Sequence, residues 1–210
     1  EVQGRLSAIA LFSLTFRQPD HPEFKTWEKR GQAILQENIP GDIKLRVIVS
    51  RAWQRLFLGK LVEAGHFIEM YREMVQSPNI PPFSRLSLMT LEAFYRFLNN
   101  DFEACSDIVA KSLDMASAIG IHLTSPIVLG HGAAGALSAG NLESADQYLR
   151  NMARYAHSFD WIFIYFKILK IWQALLEKDF SRALLEGESA KAYVAASGMP
   201  MTDAVWHQGM

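Results

Sequence analysis

The side chains that could do chemistry are few and far apart. His131 stands between Gly130 and Gly132, where missing Cβ atoms would let a ligand come close. The plainer alternative is an imidazole tucked beside small neighbours. His122 falls in a connector and suits a cap or bridge between elements; His21 and His157 suit helix ends. No two histidines lie four residues apart with a third ligand nearby, so a zinc site is not expected. Cys105 is the single cysteine and sits where small residues recur, which suits a buried, inert thiol better than a nucleophile. No Gly-rich phosphate loop, HExxH, CxxC or GxSxG pattern occurs. One catalytic arrangement remains: His131 with a carboxylate such as Asp160 or Glu143, provided the fold brings them into one pocket. The expectation is a chain with no catalytic residues, no metal and no cofactor.

Bulk properties narrow the partners. With 210 residues the chain suits one large domain or one repeat array. The net charge of −1 argues against direct nucleic-acid binding, which needs a clustered Lys/Arg excess. The apolar run Trp161 to Trp172 is broken by Lys167 and Lys170 and is too short to span a bilayer, so no membrane is expected. A lone cysteine and no signal peptide fit a reducing, cytoplasmic setting. The chain opens on Glu and stops after Trp206-His207-Gln208-Gly209-Met210, which reads as a fragment of a longer protein cut early in another helix.

The elements that must position these groups follow a repeat. From Gly130 to Ala156 the chain reads as helix, tight turn at Gly140-Asn141, then helix. The second helix places apolar or small residues at Leu142, Ala145, Leu149, Met152 and Ala156, one face of an α-helix. The same grid starts at Leu61, Phe102 and Phe180, with Ala64, Cys105 and Ala183 at the always-small third offset. Starts at 61, 102, 142 and 180 give steps of 41, 40 and 38 residues, the mark of a helical solenoid. Nine residues before each start stand Ala52, Ala93, Ala133 and Ile171; five before stand Leu56, Phe97, Leu137 and Leu175. Small residues at matching points let helix axes approach closely.

The predicted architecture is all-α, with helix pairs at about 5–37, 43–76, 84–119, 125–157 and 161–196, and a further repeat starting at 202–210. The first pair fits the grid poorly. Asp20 and Asp42 read as N-caps, Thr124 or Ser125 before Pro126 opens the fourth pair, and Gly120 reads as a C-cap. Ser77 to Pro82 is the most Pro-rich separator. No flexible interdomain linker is visible, and one array over 1–210 is expected.

Gly140-Asn141-Leu142-Glu143-Ser144-Ala145 resembles the turn and second-helix start of tetratricopeptide repeats. Asn100 to Cys105 and Lys178 to Ala183 are degenerate versions of it. The period exceeds the usual one, and the Tyr expected late in the first helix is replaced by Arg55, Arg96, Ala136 and Ala174. Both departures resemble the long repeats of MalT-like bacterial regulators, signal-transducing ATPases joined to LuxR-type or SARP-type DNA-binding domains. The phrases Phe16 to Pro22, Gly120 to Leu123 and Leu137 to Leu142 are similar to that group as well. The resemblance implies a right-handed α-solenoid, an NTPase module preceding this segment and a DNA-binding module elsewhere in a cytoplasmic regulator.

In such an array first-helix residues line a concave surface. Counting 15, 12 and 8 residues back from each second-helix start gives Arg46, Val49 and Trp53; Ser87, Thr90 and Phe94; Ile127, Gly130 and Ala134; Tyr165, Ile168 and Trp172. Aromatics flank a small patch at Gly130 and Ala134, beside His131, where a peptide, helix or flat ligand could sit. The alternative is that Trp53, Phe94 and Trp172 pack between pairs. Gly130, Gly132 and Gly135 weaken their helix locally, so they signal close packing or a hinge. The expected function is a non-catalytic interaction or sensor module. It would bind its own NTPase or regulatory domains, another protein, or a small-molecule effector, with homo-oligomers conceivable. A plain scaffold without an effector is the rival.

Overall fold

The computed structural model describes residues 2–197, with side chains as far as Val194. Among the described residues every regular element is an α-helix. The order is α1 (Val2–Arg17), α2 (Glu23–Gln36), α3 (Gly41–Phe57), α4 (Leu61–Met74), α5 (Pro82–Leu98), α6 (Phe102–Ile119), α7 (Ser125–Ser138), α8 (Leu142–Ala153), α9 (Asp160–Leu176) and α10 (Phe180–Ser197). Helices stand over all five expected stretches; the sixth, from Thr202, lies outside the described residues. The helices form two compact units divided between Tyr95 and Arg96, inside α5. In the first unit α3 packs on α1, α2 and α4. In the second, α7 packs on α6, α8 and α9, and α9 on α8 and α10. Within the units, α1 and α2 touch α3 of the next pair, and α7 and α8 touch α9 of the next, the neighbour contacts of a repeat fold.

The turns within the pairs are four copies of one device. A residue with positive φ ends the first helix: Gly59 at 68°, Asn100 at 60°, Gly140 at 73°, Lys178 at 60°. The next amide reaches back to a last-turn carbonyl: Lys60 to Arg55 at 2.8 Å, Asp101 to Arg96 at 3.0 Å, Asn141 to Ala136 at 2.8 Å, Asp179 to Ala174 at 2.9 Å. This closes the helix end in a Schellman-type motif. The side chains of Asp101, Asn141 and Asp179 then accept the amides of Ala104, Ser144 and Arg182, capping the second helix. Of the Gly140-Asn141 pair, Gly140 carries the positive φ and Asn141 is the cap. Two other expected caps are not formed. The ends of α2 and α3 have Pro22 and Pro40 at the cap position with no side-chain bond, leaving Asp20 outside and Asp42 in the first turn. His21 Nδ1 accepts the Glu23 amide instead, at 3.1 Å.

Lys178 is the costly member of the set, because a side chain disfavours left-handed backbone by roughly 1–2 kcal/mol. Lys178→Gly should therefore raise stability by about 0.5–1 kcal/mol, the strain relief outweighing the extra freedom of the unfolded glycine. A urea midpoint that falls instead would show that Lys178 carries no such cost.

The grid's small position is buried in all four later pairs: Ala64, Cys105 and Ala145 are 0% exposed and Ala183 8%. The first pair follows the spacing more closely than expected. Phe24, Gly31 and Ile34 are buried, with Trp27 half-buried between them, at offsets 0, 7, 10 and 3. The close approach moves one turn along, to Gly31, where a Cβ would lie 2.9 Å from Leu11 Cδ1 and 3.0 Å from Val47 Cγ1. Spacing survives while the identity of the small residue shifts, which is why the pattern was hard to see. The fifth pair departs in the other direction. Leu137 is buried and Leu142 half-buried in the fourth pair, but their equivalents Leu175 and Phe180 are exposed. Helix α9 lies against the fourth pair; no described helix follows α10.

Candidate functional site

Helix α7 has almost no polar side. Val128 through Gly135 and Leu137 are all buried, so it is a central helix rather than an amphipathic one. Its three glycines each receive a different neighbour. At Gly130 the ring of Tyr165 from α9 lies where a Cβ would be, 2.3 Å from Cε1. At Gly132 the ring of Tyr148 from α8 lies 3.1 Å away. At Gly135 the α6 thiol of Cys105 lies at 3.6 Å. Close packing, not a hinge, is what these glycines serve.

This corrects the expected ligand patch. Gly130, His131 and Ala134 do not line an open surface; all three are buried. Tyr165, expected to flank the patch, fills it. Its hydroxyl meets His131 Nδ1 at 3.1 Å. Burial pushes His131 down to about 3, so its ring is neutral at physiological pH. Burial likewise raises Tyr165 above its ordinary range. Cys105 is pushed up to about 11, chiefly by burial and further by nearby Asp101, and its thiol donates to the His131 carbonyl at 3.7 Å. A buried thiol that stays protonated is a poor nucleophile, and an imidazole this hard to protonate is a weak base. The carboxylates needed for the catalytic arrangement are elsewhere: Glu143 and Asp160 are exposed in the first turns of α8 and α9 and bond to neither. Trp172 is half-buried against the core around Leu129, Leu149 and Leu169.

The first unit treats its aromatics differently. Trp53 stacks on Phe94 at 5.4 Å and packs on Phe57 at 5.6 Å; Phe16 lies 5.9 Å from Trp53 and 5.6 Å from Phe57; Phe12 lies 4.7 Å from Phe16. These rings come from α1, α3 and α5, the first helices of three successive pairs. None is fully buried, and Phe12 is 53% exposed. Phe12 begins a further exposed apolar stripe on α1, with Ile9, Leu6 and Val2. Trp53 and Phe94 thus pack between pairs while keeping part of their ring surface exposed. Arg46 is exposed on α3.

No family model, curated protein or solved structure matches the chain.

The site therefore rests on the chain's own geometry. Counting back from the turns found Trp53 and Phe94. It does not reach Phe12 and Phe16, because α1 has no register in the grid, nor Phe57, which falls between the counted positions of α3. The available signal was the run Leu11-Phe12-Ser13-Leu14-Thr15-Phe16, whose phenylalanines are one turn apart. Among the described residues no group of His, Cys, Asp and Glu is arranged to hold a metal, and no helix is long and apolar enough to cross a membrane.

Proposed function

We propose that this chain is a non-catalytic helical-repeat module whose first unit docks an apolar segment of a partner protein on the ribbon of rings from Phe12 to Phe94. The observation that carries the reading is the ribbon itself. Five partly open aromatics run across three first helices, where ring contacts supply large area with little side-chain entropy to lose. The plugged Gly130 patch favours the first unit over the second as the docking surface. The resemblance to MalT-like regulators adds a setting for it, in which the partner is an NTPase or regulatory domain of the same cytoplasmic protein.

Selection of twelve-residue peptides from a displayed library on the 210-residue chain tests the reading. The expected peptides share apolar anchors spaced for one helix face or one strand face. Their binding to Trp53→Ala should weaken at least about tenfold, roughly 1.4 kcal/mol, with helicity unchanged. Selected peptides that bind wild type and Trp53→Ala equally would remove the ribbon as the docking surface.

A further inference from the structure

The first unit holds a second feature, a cleft of about 550 Å³ between α2, α3 and α4. Its apolar surface comes from Leu35, Ile48, Phe67, Met70 and Met74, and it carries two cations, Lys44 and Arg51. The repeat register explains why it is open. Arg51 stands ten residues before its pair's second helix and Phe67 six residues after that helix begins. Gly132 and Tyr148 hold the same two places in the fourth pair. There the tyrosine ring lies down on the glycine and its hydroxyl reaches Ser106 on α6 at 3.0 Å, filling the gap between second helices. Here an arginine occupies the glycine's place, and its guanidinium stands 4.3 Å from the Phe67 ring centroid. The guanidinium takes the room a glycine would leave for the ring, and a cleft lies beside the two side chains.

The charges in the cleft are incompletely matched. Glu28 serves both Arg51, at 3.2 Å, and Arg55. Lys44 donates to the Leu35 carbonyl at 2.9 Å and has no carboxylate partner among the described residues. Lys44 and Arg51 lie seven residues apart on α3, two turns or about 10 Å. Phe67, Met70 and Met74 run the same length along α4. Methionines suit a surface that must adapt to a flexible apolar chain.

We infer that this cleft binds a free amphipathic anion, an acid headgroup held by Lys44 with an unbranched apolar tail laid along Phe67, Met70 and Met74. A lysine without a carboxylate partner beside an apolar floor selects for both halves of such a molecule. The inference does not depend on the aromatic ribbon, which lies on other side chains.

Calorimetric titration of the 210-residue chain with decanoate at pH 7.5 tests it, with 1-decanol, decyltrimethylammonium and phosphatidylglycerol vesicles as comparison probes. Saturable one-to-one binding of decanoate is expected, at least tenfold tighter than decanol, with no binding of the ammonium compound and no co-sedimentation with vesicles. Lys44→Met should weaken decanoate about tenfold, and Met70→Trp should block it by filling the cleft. No saturable decanoate binding, equal binding of decanol, unchanged affinity in these variants, or binding to vesicles without binding of free decanoate would each overturn the inference.

Discussion

Gly130→Ala is expected to cost about 2 kcal/mol of stability, and Gly135→Ala, five residues along the same helix, to gain about 0.5–1 kcal/mol. Both substitutions raise helix propensity by up to about 1 kcal/mol, so the difference lies in what the new methyl meets. At Gly130 it would sit 2.3 Å from Tyr165 Cε1, 2.9 Å from Cδ1 and 3.0 Å from Cζ, inside the face of a ring. That ring cannot swing aside cheaply. Its hydroxyl is fixed on His131 at 3.1 Å, and its body packs against the core around Leu129 and Leu169. Forcing a methyl into such a place costs about 1–3 kcal/mol and sometimes more. At Gly135 the nearest atoms are Cys105 Sγ at 3.6 Å and Phe102 Cδ1 at 3.9 Å, ordinary contact distances. Urea unfolding of the two variants checks the sign. A double-mutant cycle with Tyr165→Leu should recover at least half of the Gly130→Ala loss. If both glycines respond alike, the ring does not rest where the structure places it.

The second large effect is a pH dependence. The folded His131 is held to about 3 by burial, against about 6.5 in an unfolded chain. Between those values the unfolded state binds the proton and the folded state does not. The contribution is therefore fully present above pH 6.5 and is lost progressively as pH falls toward 3. From pH 7 to pH 5 the loss is about 2 kcal/mol, with a limiting slope of about 1.4 kcal/mol per pH unit. The groups facing this ring do not share the titration: Tyr165 is shifted upward, and the Cys105 thiol is pushed to about 11. His131→Gln removes the titrating group and leaves a side chain able to bond the Tyr165 hydroxyl. Unfolding free energies at pH 7 and pH 5 should differ by about 2 kcal/mol less in the variant than in wild type. Parallel curves for the two proteins would mean that His131 protonates without leaving its place.

How much of this was legible in the chain depends on the range of the interaction responsible. Spacing at 61, 102, 142 and 180 located the second helices, since burial on one helix face repeats with the helical period. Turn chemistry was equally local. Gly59, Asn100 and Gly140 mark the left-handed residue, although nothing about Lys178 announces that it adopts the same φ. Caps failed where a proline took the cap position and displaced Asp20 and Asp42 from their expected part. The candidate site fared worse. Gly130, His131 and Ala134 read as an open patch in the sequence because small residues permit close approach; whether a ligand or the protein's own Tyr165 uses the space is decided 35 residues further on.

The sequence by itself determined the class of the fold, the pairing of helices and the residues that must be small, because each depends on backbone propensities and periodicities within one or two turns. The tertiary structure alone decided which gaps between helices close and which stay open. Tyr148 lying on Gly132 seals one, and Arg51 beneath Phe67 leaves another. Equivalent positions in a repeat carry the same spacing but different side-chain volumes. Open space depends on how those volumes meet across helices, and no local pattern encodes that.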